Sequence, residues 1–65
     1  MEEERERILA EIGRVRAMLY KNGQLFDIAE DDSEIEALIY EYKALSVRYS
    51  ALIVRAKELG IRSEQ

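Results

Sequence analysis

Ile8, Ile12, Val15 and Leu19 recur at intervals of four, three and four residues, which lines one face of an α-helix, with Leu9 and Met18 on its shoulder. Glu2, Glu3 and Glu4 suit the positive end of a helix dipole. Asn22 and Gly23 both tolerate the left-handed conformation that ends helices, so the pattern predicts a first helix over about 2–22. The connection over 24–32 is acidic but carries Leu25, Phe26 and Ile28, which are expected to tuck against the helices. Ser33 followed three residues later by Glu36 is a capping-box pattern. Gly60, with apolar Ile61 behind it, reads as a Schellman closure. A second helix is therefore predicted over about 33–59, some 40 Å long at ~1.5 Å per residue. Residues 62–65 are expected to fray.

The second helix is the more informative. Ile35, Leu38, Tyr42, Leu45, Tyr49, Leu52, Ala56 and Leu59 alternate spacings of three and four without a break, an a/d seam of four heptads broadened by Ile39 and Ile53 at e. The expected core of a hairpin joins Ile35, Leu38, Tyr42, Leu45, Tyr49 and Leu52 to Ile8, Ile12, Val15 and Leu19 of the first helix. A second stripe, Ala37, Tyr40, Ala44, Val47, Ala51 and Val54, follows the same spacing at c and f. At about 100° per residue the two stripes lie on nearly opposite sides of the helix. One partner helix covers one stripe. The other would remain an apolar strip along the molecule, which soluble monomers avoid, so it is assigned as an oligomer interface. The blander alternative makes Ala a mere helix former and Val47 and Val54 incidental surface residues. A β-branched residue is a poor choice for an exposed helical position, and this favours association.

The fold expected is all-α: a single antiparallel two-helix hairpin domain over 1–65 that self-associates, most simply as a dimer forming a four-helix bundle, or as a larger helical oligomer. Size strengthens the case. Chains this short depend on near-ideal helix packing, staples or oligomerisation, and this one of 65 residues has no Cys for a disulfide. The lack of both Cys and His also removes thiolate and imidazole metal ligands and the usual nucleophile–base pairs. No apolar run approaches the ~18 residues of a membrane span, and the Glu-rich start is unlike a signal peptide, so a cytoplasmic protein is expected.

Net charge is −4, unevenly distributed. Residues 1–21 balance five acids against five bases, 22–42 carry seven acids and no base, and 43–62 carry five bases against Glu58 alone. Two readings stand: a second helix charged to suit its own dipole, and a polar rod that pairs head-to-tail with a copy of itself. Asp27, Glu30, Asp31, Asp32 and Glu34 cluster, yet they lack the central Gly and terminal Glu of a calcium loop. They read as a solvated acidic connection, and neither metal nor cofactor is expected. Arg48, Arg55 and Arg62, like Arg7, Arg14 and Lys21, repeat every seven residues and could track phosphates. They equally suit the flanks of a helical bundle, and with an acidic chain neither nucleic acid nor a membrane surface is expected as partner. Tyr42 and Tyr49 are read as packing residues, and Tyr20 and Tyr40 as contacts for another protein.

Phe26, Asp31 and Ile35, then Leu38-Ile39-Tyr40-Glu41-Tyr42-Lys43-Ala44, Arg48-Tyr49 and Ala56-Lys57-Glu58-Leu59-Gly60-Ile61 form a pattern over 26–61. It resembles the YaaL-like small proteins, an uncharacterised family of sporulating and related Gram-positive bacteria. A Pro common there after the aspartate is Asp32 here. The resemblance implies a cytosolic bacterial origin and brings with it no known activity, cofactor or catalytic residue. Asp32-Ser33-Glu34-Ile35-Glu36, with Leu38-Ile39 and Tyr42, is also similar to the signature of short helical-hairpin aspartyl phosphatases that act on sporulation response regulators. In that signature a Ser stands where this chain has Asp32, and an Asp where it has Glu36. The functional expectation is a non-catalytic, self-associating protein–protein interaction module, the alternative a regulator or phosphatase acting on a phosphorylated response regulator.

Overall fold

A computed structural model describes residues 2–61; the expected fraying of 62–65 lies outside them. The chain forms two α-helices, α1 (Glu2–Ile28) and α2 (Asp32–Glu58), packed against each other as an antiparallel hairpin measuring 45 × 18 × 16 Å. Each helix has 27 residues, so the two run alongside each other for nearly their whole length.

Helix α1 does not stop at Asn22-Gly23 but continues to Ile28, and the connection shrinks to residues 29–31. The physical reason is Asn22 itself. It faces α2, buried, and its amide Nδ2 donates to the Leu38 carbonyl at 3.0 Å and to Glu41 Oε1 at 3.2 Å. These bonds, with Leu25 and Ala29 half-buried beyond, outweigh the roughly 1 kcal/mol that Gly23 costs inside a helix. Of the three apolar residues expected to tuck in, Leu25 is half-buried while Phe26 and Ile28 stay exposed.

The N-cap of α2 is Asp31 and not Ser33, which lies inside the first turn. Asp31 has extended backbone, and its carboxylate accepts from the Glu34 N–H at 3.2 Å. Asp31 and Glu34 repeat the cap-to-N3 spacing of Ser33 and Glu36, so both frames meet the pattern, and the short connection selects the earlier one. The other end matches its signature. Gly60 takes φ 73°, the Ile61 N–H donates to the Ala56 carbonyl at 2.9 Å, and the Gly60 N–H to the Lys57 carbonyl at 3.0 Å. Those two bonds define the Schellman motif, and Ile61 packs back on a cluster of Ile8, Ile12 and Ala56.

The core is thin. Ile8, Ile12, Val15, Leu38, Leu45 and Ala56 are its buried apolar residues, and only Val15 is completely covered among the described residues. Leu19, Ile35, Tyr49 and Leu52 are half-buried. Tyr42, expected in the core, is 55% exposed. A seven-residue repeat on a straight helix of 3.6 residues per turn drifts by about 20° per heptad, and the burial follows that drift from Tyr42 onward. In the a register, Ala56 is buried, Tyr49 half-buried and Tyr42 exposed, while Ile35 at the start is half-buried again; in the d register Leu38 and Leu45 are buried, Leu52 half-buried and Leu59 exposed. The seam crosses the contact line at an angle, and Tyr42, whose hydroxyl favours water, stands off it.

Candidate interaction surfaces

Because α1 covers only the seam side of α2, the second stripe is left uncovered. Ala37, Tyr40, Ala44, Val47, Ala51 and Val54 are all exposed, with Val47 at 71%, Tyr40 at 63% and Val54 at 55%. The six residues assigned to an oligomer interface therefore share one face of a single hairpin, turned away from α1.

The two edges between the helices differ. Along one, Glu4 binds Arg55 across the hairpin at 2.9 Å, Arg55 also reaches Glu58 at 3.6 Å, Glu11 pairs with Arg14, and Asn22 engages Glu41. The opposite edge is open. A groove of about 930 Å³ runs there between Leu9 and Gly13 of α1 and Ile53 of α2, floored by Ile12 and Ala56 and closed at its end by Ile61. Arg5, Arg16 and Lys57 line it, and among the described residues its lining contains no carboxylate. Arg16 donates to the Tyr49 hydroxyl at 3.4 Å, whereas Arg5 and Lys57 have no ion-pair partner among the described residues. Gly13 leaves the groove wall low, since a Cβ there would meet nothing within 4 Å.

Sequence reasoning missed this groove as a unit. The signal was present: Leu9 on the shoulder of the first stripe, and Ile39 and Ile53 broadening the seam at e. At 100° per residue, Leu9, Arg5 and Arg16 on α1 share a side of the hairpin with Ile53, Ile39, Tyr42 and Lys57 on α2.

Among the described residues no three carboxylates gather so as to hold a metal ion. Glu36, which stands where the phosphatase signature has an Asp, is exposed near the start of α2. Among the described residues no helix is long and apolar enough to cross a membrane. No protein-family model, curated protein or solved structure matches the chain.

Proposed function

We propose that this protein is a non-catalytic helical module that works by association, with a copy of itself in the simplest case, and that the outer stripe of α2 is a contact surface. The observation that carries the reading is the exposure of Tyr40, Val47 and Val54 in a row with Ala37, Ala44 and Ala51 between them. Small residues allow a second helix to approach closely, and the larger three fill between. An apolar strip along a 45 Å rod is the kind of surface that marks a protein partner. The thin core supports the same conclusion, because a hairpin with one fully covered side chain among its described residues gains most from burying its outer faces. The resemblance to YaaL-like proteins is compatible with a bacterial, cytoplasmic setting for such a module.

Sedimentation of the wild type beside Val47→Glu/Val54→Glu tests the proposal. The wild type should exceed the mass of one chain, and the variant should lose mass while keeping its helix content. A wild type that stays monomeric at every concentration overturns the association; an unchanged variant mass overturns the stripe.

A further inference from the structure

The groove edge carries an inference beyond the outer stripe, one that rests on the association reading and says how a copy would sit. We infer that the open groove between Leu9 and Ile53 receives a second copy of the hairpin, running antiparallel, with the connection end of one copy laid against the open end of the other.

Charge is the first argument. The open end of this face presents Arg5 and Lys57, with no carboxylate among the described residues of the groove lining; Glu2 and the Arg55-paired Glu4 border Arg5 at the tip, and Arg16 stands at mid-length against Tyr49. Farther along the same face, the helical register places Tyr20, Tyr42 and Ile39, and then Asp27 and Asp32 at the connection end. Each copy is thus basic toward one end of the face, mixed in the middle, where Tyr20, Ile39 and Tyr42 lie beside Arg16, and acidic at the other end. A parallel pair would set like charges together. A two-fold antiparallel pair sets base against acid at both ends, in the self-complementary way that an isologous interface requires.

Area is the second argument. One broad side of a rod 45 Å long and 18 Å wide offers on the order of 800 Å², which is about what each partner contributes to a standard specific interface. Tyr20, Tyr42 and Ile39 are exposed in the single chain, and tyrosine is enriched where interfaces mix apolar and wet surface. The opposite edge is bridged by the Glu4–Arg55 pair, and the hollow beside Ile8, Glu11 and Leu52 there measures about 450 Å³, half the volume of the groove.

A charge swap tests the seat and its direction. In Arg5→Glu/Lys57→Glu both ends of the face become acidic, and in Asp27→Lys/Asp32→Lys both become basic. Each variant alone should dissociate at least about tenfold more readily than the wild type, and an equimolar mixture should recover the wild-type mass as a heteromer. Swap variants that keep wild-type mass alone, or that gain nothing on mixing, overturn the inference. Should a swap variant lose its helix signal, cross-linking decides: Asp27→Cys and Lys57→Cys chains should form a mixed disulfide when combined. Self-linked Lys57→Cys pairs would instead show a parallel arrangement and overturn it. The wild-type mass separates the two proposals. An oligomer that falls apart with Val47→Glu/Val54→Glu but ignores the swaps removes the groove seat and leaves the association reading standing.

Discussion

Asn22, deep in α1, donates one amide hydrogen to the backbone carbonyl of Leu38 in α2 at 3.0 Å, and both residues are buried. Its other amide hydrogen goes to Glu41 at 3.2 Å, so one side chain joins the two helices through a main-chain and a side-chain acceptor. Both acceptors demand a donor at position 22. Asn22→Asp would place a second carboxylate against Glu41 and the Leu38 carbonyl, and should cost about 2 kcal/mol or more at neutral pH. Adding Glu41→Gln should return part of that loss, and a double-mutant cycle by urea denaturation measures the coupling. Asn22→Leu should be far milder, because the Leu38 carbonyl lies inside α2 with the helix's own donor available.

The cap of α2 separates two sequence frames that look alike. Asp31→Ala removes the carboxylate that accepts from the Glu34 N–H and should lower stability by about 1 kcal/mol. Ser33→Ala lies inside the first turn and should change it by no more than about 0.5 kcal/mol. Equal losses from the two substitutions would contradict the observed helix start.

Two glycines should respond in opposite directions. Gly23 sits within α1, with open space where a Cβ would be added, so Gly23→Ala should raise stability by about 0.5–1 kcal/mol. Gly60 also has open space but holds φ 73°, so Gly60→Ala should cost about 1 kcal/mol and loosen the Ile61 closure. Thermal melts of the two variants give the sign directly.

How far the chain could be read in advance depends on how local each determinant is. The Gly60 closure was legible because φ, the following apolar residue and both hydrogen bonds belong to one short segment. Asn22 was not, since a polar residue beside a glycine has the same local signature whether it ends a helix or bonds across to another; only α2, 16 residues away, distinguishes them. Tyr42 was misplaced because the seam's margin, where the a register leaves the contact line, suits a hydroxyl that favours water, whereas the purely apolar Ile35 one heptad earlier stays half-buried. The groove hid for the opposite reason. Its two walls come from residues that are each minor shoulders of their own stripes, and only antiparallel packing sets Leu9 beside Ile53.

The thin core has a thermodynamic consequence. Among the described residues Val15 alone is fully covered, so a large share of the stability of an associated form would come from faces that a single hairpin leaves wet. A partner that binds the folded chain and not the unfolded one stabilises it by mass action. The melting temperature should therefore climb steadily as protein concentration is raised over about a hundredfold range. Leu45→Ala, which removes a buried side chain from the hairpin itself, should cost about 2–4 kcal/mol and lower the whole curve. Val47→Glu/Val54→Glu should act differently, flattening the concentration dependence while altering the dilute-limit melt far less, since neither valine is buried in the single chain. Melts that superimpose at all concentrations would place the full stability of the protein within one hairpin.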